Sequence, residues 1–154
     1  GRVLAYAFSS DGRALAVPSG EGMERCMKEC LERGGRNPEA VRYVSAHATS
    51  TPVGDRAEAG AIARIFGEAR PWVSSLKSMT GHEMWMAGAA QAAYTLLMMR
   101  GGFIAPNKNF VRKEEGAAPL NLVRETLSER PTLALLNSAG FGGTNACLLF
   151  EALP

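Results

Sequence analysis

The sequence is short of the residues that usually hold a small protein together or carry its chemistry. Histidine occurs twice and cysteine three times in 154 residues, so a disulfide framework and a histidine-rich metal cluster are both out of reach. Cys26, Cys30 and Cys147 form an odd set without framework spacing, which fits a reducing environment and makes the cytoplasm the expected location. Excess charge of one sign is lacking as well. The net charge of +2 is too small to imply a nucleic acid or an acidic membrane surface as partner. Long hydrophobic runs are absent: the longest, Met84 to Met99, is broken by Gln91 and too short for a comfortable span. No signal peptide is visible, since the chain opens on Arg2-Val3-Leu4-Ala5-Tyr6, which reads as a strand already under way. That opening leads us to expect a fragment or a processed product. What remains is ordinary globular composition, 46% hydrophobic and 21% charged, and enough chain for one domain with a real core.

The pattern along the chain alternates between strand and helix. Val3–Ser10 is β-prone and runs into the turn pair Asp11-Gly12. Met23, Cys26, Met27, Cys30 and Leu31 recur at helical spacing before Gly34-Gly35, which predicts an amphipathic helix with both cysteines on its buried stripe. No His or further Cys stands in register with that pair, so packing is the better reading than metal binding. Val41–Ala46 is a short apolar strand ending at His47. Thr51-Pro52 then opens a helix, with a hydroxyl at the cap, Pro at the first helical position, and Asp55 and Glu58 in its first two turns. "PWVSS" is another short strand. A helix from about Met84 to Arg100 is apolar or small on nearly every side and should be enclosed by protein. Residues 112–130 read as an irregular surface excursion. Thr132–Asn137 and Asn145–Leu153 are β-prone and flank the glycine-rich turn Gly140-Phe141-Gly142-Gly143, a hairpin that argues against a purely parallel sheet. The expected fold class is α/β, with a mixed sheet of about five strands packed between helices.

Both histidines stand at element ends. His47 closes a strand and is followed by Thr49, Ser50 and Thr51; His82 opens the Met84–Arg100 region and lies five residues after Lys77. Such ends are where polar sites are built on a rigid scaffold. At a helix start in apolar surroundings, imidazolium is disfavoured by dipole and desolvation alike, so His82 should be neutral. A neutral ring can donate one N–H to a developing oxyanion without prior protonation. The glycine-rich turn lacks the following helix and Lys of a phosphate cradle. It could instead present a backbone N–H to a reacting carbonyl, or be a plain hairpin turn. No nucleophile stands out, because Cys147 alternates with Ala146 and Leu148 in a strand and looks packed.

Three segments, "SAHATSTPVGDRAE", "SSLKSMTGH…AGA" and "NSAGFGGTNACLLF", strongly resemble the C-terminal motifs of the β-ketoacyl-acyl-carrier-protein synthases, decarboxylating condensing enzymes of the thiolase superfamily. "VPSGEG", "GFIAPNKNF" and "APLNLV" point to the synthase I/II branch. The resemblance covers essentially the whole chain. It implies a duplicated five-layer α-β-α-β-α fold of which residues 1–154 are the C-terminal half, with the nucleophilic Cys on an N-terminal half.

Carried over residue by residue, the resemblance implies that His47 and His82 bind the malonyl thioester carbonyl and stabilise the enolate left as carbon dioxide departs. It implies that Lys77 orders the site with Glu58 as its acidic partner and Asp55 in support. Thr49 and Thr51, with Gly142 and Gly143, would hold the phosphopantetheine arm. Phe141 would be the gating aromatic, with a backbone N–H in the oxyanion hole, while Asn137 and Asn145 tie the turn down. The implied partners are acyl carrier protein, the N-terminal half, and a second synthase or synthase-like subunit in a homodimer or heterodimer. Neither a metal nor a cofactor is implied beyond the carrier's 4'-phosphopantetheine.

Several positions depart from the family pattern. Ala48 replaces a Gly, Ala139 replaces an aromatic, and Glu83-Met84-Trp85-Met86 replace a run of small residues. Nine residues past His82, a carboxylate used by the family in a buried polar or cation site is Gln91. Together these departures imply a specialised branch with an altered acyl pocket. A chain-length-determining, non-catalytic partner subunit is the alternative; such subunits usually lose site histidines, and this chain keeps both. Alone, the 154 residues should be inactive and poorly soluble or obligately associated.

Overall fold

A computed structural model describes residues 1–12, 14–113, 117 and 119–153. Alternation builds the first element. In β1 (Arg2–Ser10), Ala5, Ala7 and Ser9 point into the core while Tyr6 and Phe8 face outward. The predicted amphipathic helix follows as α1 (Glu21–Arg33), which buries Met23, Cys26, Met27, Cys30 and Leu31. Its first turn carries Glu21 and Glu24 and its last turn Arg33, each sign at the end of the dipole that it suits.

Next come β2 (Tyr43–Ser45), α2 (Pro52–Phe66), β3 (Trp72–Ser74), the one-turn α3 (Lys77–Thr80) and α4 (Ala87–Gly101). The chain closes with β4 (Asn121–Leu122), β5 (Leu133–Gly140) and β6 (Thr144–Glu151). All six strands form one sheet in the order β1-β6-β5-β2-β3-β4. The β1/β6 and β5/β6 pairs are antiparallel, whereas β5/β2, β2/β3 and β3/β4 are parallel. The sheet is therefore mixed, as the hairpin pattern required, and has one strand more than expected. The addition is β4, two residues inside the segment read as an irregular excursion, too short for any periodicity to reveal.

The central strands are buried on both faces, so their residues feed two cores in alternation. Val44 and Leu135 join α1 and α2 through Met27, Cys30, Ile62 and Phe66 on one side. Tyr43 and Leu136 join Met98 and Met99 of α4 on the other. The result is a layered helix–sheet–helix arrangement. One expectation fails here: α4 is not enclosed. Ala89, Ala93 and Leu97, spaced four apart, face outward, and Leu97 is 58% exposed. No helix among the described residues is long and apolar enough to cross a membrane.

Parallel register sets the level of the site. Ser45 pairs with Ser74 on one side and Leu136 on the other, so the carboxyl ends of β2 and β3 lie side by side against the middle of β5. In sheets of this kind that edge is where ligands bind. The chain leaves it through His47 and through Ser75–His82, while β5 passes the same level at Asn137 and runs on to Gly140.

Candidate active site

At the end of β2 the backbone bends sharply. Ala48 has φ 22 and Ser50 φ 67, conformations in which a Cβ is disfavoured by about 1–2 kcal/mol. The family's Gly would adopt the Ala48 geometry without that cost. Here the strain is held by bonds on both sides. The Ala48 and His47 amides donate to Oε2 and Oε1 of Glu58, both at 2.8 Å, and Ser75 Oγ donates to the Ala48 carbonyl at 3.2 Å. Glu58 is fully enclosed and also receives Asn137 Nδ2 at 2.6 Å. Burial raises its pKa, and the hydrogen bonds from Asn137 and the Ala48 and His47 amides work against that rise.

The two histidines meet. Their ring centroids are 5.5 Å apart with planes at 85°, an edge-to-face contact. Burial lowers the His47 pKa to about 4, helped by the nearby Lys77 and His82, so its ring is neutral at neutral pH. Its Nδ1 is buried without a hydrogen-bond partner. His82 is placed differently from its expected position. It is exposed, in the loop between α3 and a 3-10 turn at Met84–Met86, and the helix begins only at Ala87. Met84, at φ 52, breaks the helix that periodicity carried back to it. The same kink aims the Met84 amide at His82 Nδ1, 3.0 Å away. An acceptor at Nδ1 puts the neutral ring's proton on Nε2, so the tautomer is set by a backbone N–H and not by a helix dipole.

Lys77 is the first residue of α3, and burial lowers its pKa against the attraction of Glu58, Glu83 and Asp55. Lys77, Asp55, Glu58, Thr49 and Thr51 line one cleft of about 550 Å³. Thr51 is the residue before α2, but its hydroxyl does not cap the helix; it bonds to Thr49 Oγ1 at 3.2 Å. Gly54 makes room for it, since a Cβ there would stand 2.6 Å from Thr51 Oγ1.

The turn is anchored to the β1 side. Gly142 N–H donates to Leu15 O at 2.8 Å, and Gly143 O accepts from the Asp11 amide at 2.8 Å and from Asn145 Nδ2 at 3.0 Å. Gly143, at φ 79, admits no side chain, because a Cβ would lie 2.9 Å from Asp11 Cβ. Phe141 projects from this turn, 78% exposed. Asn145 does hold the turn, whereas Asn137 holds Glu58 and accepts a weak bond from Cys147 Sγ at 3.4 Å. All three cysteines are buried and free, and burial pushes the Cys30 thiol up to about 12 and raises that of Cys147. Neither is poised to be a nucleophile.

Two supporting residues escape a reading of the sequence alone. Ser75 braces the His47–Ala48 carbonyls. Asn107 accepts the Ser75 amide at 2.9 Å while donating to Val73 O and Val123 O, each at 3.1 Å. Asn107 stands after Pro106, where a polar residue in a turn needs no special explanation, so only the fold reveals its use.

An edge-to-face histidine pair at the carboxyl edge of parallel strands, in a layered α/β fold, defines a thiolase-like chain. Residues 1–111 match the model of the β-ketoacyl synthase C-terminal domain, and the chain belongs to that family. It is similar to 3-oxoacyl-[acyl-carrier-protein] synthase 1 of Escherichia coli (strain K12), 46% identical over 151 residues that cover 98% of this chain and 36% of that protein. Among solved structures it resembles a β-ketoacyl synthase from Burkholderia phymatum STM815, with TM-score 0.94, 37% identity, and coverage of 99% of this chain and 37% of that one. It also resembles a type II PKS acyl-carrier protein complex with its ketosynthase bound to the hexaketide, with TM-score 0.92, 28% identity, and coverage of 98% and 38%. The chain thus spans a little over a third of the length of these relatives.

Proposed function

We propose that this chain supplies the decarboxylation half of a 3-oxoacyl-acyl-carrier-protein synthase. The carrying observation is the pair of imidazoles in edge contact, 5.5 Å between centroids, at the carboxyl edge of the sheet. In the reaction, the bond between the malonyl α-carbon and its carboxylate breaks, and carbon dioxide leaves. The electron pair moves onto the thioester as an enolate, whose oxygen receives N–H donors from His47 and His82. Neither ring has to give up or gain a proton. His47 is uncharged beforehand, and the hydrogen bonds to the oxygen strengthen as charge develops on it, which is what lowers the barrier. The enolate carbon then attacks an acyl thioester on a Cys outside this chain, the thiolate leaves, and a 3-oxoacyl thioester remains on the carrier.

The other residues prepare that geometry. Glu58, Ser75 and the strained Ala48 fix the His47 backbone; the Met84 amide bonds to His82 Nδ1; Lys77 biases the His47 ring toward neutrality. Thr49 and Thr51 face the cleft where the pantetheine arm would lie, and Phe141 stands exposed at the turn. The partners on this reading are acyl carrier protein, the remainder of the synthase and a second subunit, and no resident metal or cofactor takes part.

The test is carbon dioxide release from malonyl-acyl carrier protein by the full-length protein. His47→Ala and His82→Ala should each slow release by about 10²–10³-fold, the usual loss for one oxyanion donor. Release at the parent rate by both variants would overturn the assignment.

A further inference from the structure

The resemblance places a carboxylate, in a buried polar or cation site, where this chain has Gln91. Gln91 is buried on α4, and its amide points into a cage of oxygens. Nε2 lies 2.7 Å from Ser45 O, 3.0 Å from Ser45 Oγ and 3.2 Å from Asn137 O. Its own carbonyl, Oε1, is buried without a partner. Were the cage built for a cation, the oxygen end of the amide would be the end turned inward.

Spacing gives the same answer. Even a calcium-sized cation holds oxygen ligands at about 2.3–2.6 Å, so two ligands of one ion stand further apart than a direct hydrogen bond allows. The contact of 2.7 Å between Gln91 and Ser45 O leaves no room for an ion between them. The charge balance also closes without one. A buried carboxylate among carbonyls needs a counter-cation, whereas a neutral amide needs none and supplies its own donors. A metal ion therefore does not fit this site.

We infer that the Gln91 amide replaces a bound monovalent cation, making this a synthase whose core is cross-linked without one. The cross-link ties α4 to the end of β2 and the middle of β5, and continues through Asn137 and Glu58 to the His47 amide. Gln91 is thus a positioning residue, two hydrogen-bonded side chains away from the histidine. This inference concerns the folded state and does not depend on the proposed reaction.

The experiment follows thermal unfolding of the full-length protein in sodium, potassium or tetramethylammonium chloride at equal ionic strength. The parent should melt at one midpoint in all three salts. Gln91→Glu should melt lower in tetramethylammonium and recover in sodium or potassium, with a shift that rises with concentration and saturates. Gln91→Met, which loses the donors but adds no charge, should be destabilised equally in every salt. A saturable rise of the parent midpoint with sodium or potassium overturns the inference, showing an amide turned to complete a cation cage. So does a Gln91→Glu protein that matches the parent in every salt. If Gln91→Glu does not fold, the parent and Gln91→Met series still decide the matter.

Discussion

His47 has exchanged the ability to titrate near neutrality for a fixed, uncharged state. In an unfolded chain its pKa would be near 6.5, and in the fold it is lowered to about 4. Between those values the unfolded chain binds a proton that the folded chain refuses. The sign follows: stability is fully present above about pH 6.5 and is lost as pH falls toward and through about 4. One group can impose at most about 1.4 kcal/mol per pH unit over that window. Urea unfolding of the full-length protein at pH 7, 5.5 and 4.5 should therefore show a steeper loss for the parent than for His47→Gln, which has nothing to titrate. Equal slopes would mean that His47 is solvated like an ordinary surface histidine. His82 is held by another route, the Met84 amide donating to its Nδ1. That route rests on one positive φ, which no residue-type preference announces; a Met at φ 52 runs against preference.

Among the elements, α2 matters most to the site, through one buried side chain. Glu58 receives two amides from the β2 exit and the Asn137 side chain from β5, so one carboxylate joins three elements. Glu58→Gln keeps size and shape but turns an NH₂ toward an N–H that needs an acceptor. Losing a hydrogen bond to a charged group and leaving a buried donor unpaired should cost about 1.5–3 kcal/mol. The check is a fall in the denaturant midpoint at unchanged m-value. Glu58→Asp, which keeps the charge but shortens the reach, should fall between the two. The elements themselves were largely legible: β1, α1, α2 and the β5–β6 hairpin each carry a strong period with glycine or proline at their ends. The motif residues His47, Thr49, Thr51, Lys77 and His82 were legible too, because adjacent strand exits put them on one edge. Other features were not. β4 is too short to have a period, the start of α4 is displaced by a single kink, and Ser75 and Asn107 act on partners 16 to 34 residues away in sequence. Only the three-dimensional register brings such partners together.

The molecule as a whole shows several large apolar side chains at its surface. Trp85 is 91% exposed between Met84 at 61% and Met86 at 58%, and Phe141 is 78% exposed. Tyr6 and Phe8 on the outer face of β1 are each about half exposed. Isolated apolar side chains on a surface are normal, but a run of large ones beside a site marks a face meant to be covered. The relatives are nearly three times as long as this chain, and further chain of that kind would cover such a face. The protein has two tryptophans, and they make the idea measurable. Trp72 is partly buried on β3, with Nε1 donating to Glu129 at 2.7 Å, so its fluorescence should resist acrylamide in every context. Trp85 should be readily quenched in the 154-residue chain and protected in the full-length protein. The isolated chain should also bind a hydrophobic dye and self-associate in light scattering, and Trp85→Ser should weaken both. If Trp85 is quenched equally in the short and full-length proteins, this face is open solvent surface, and the bulky run after His82 shapes no internal pocket.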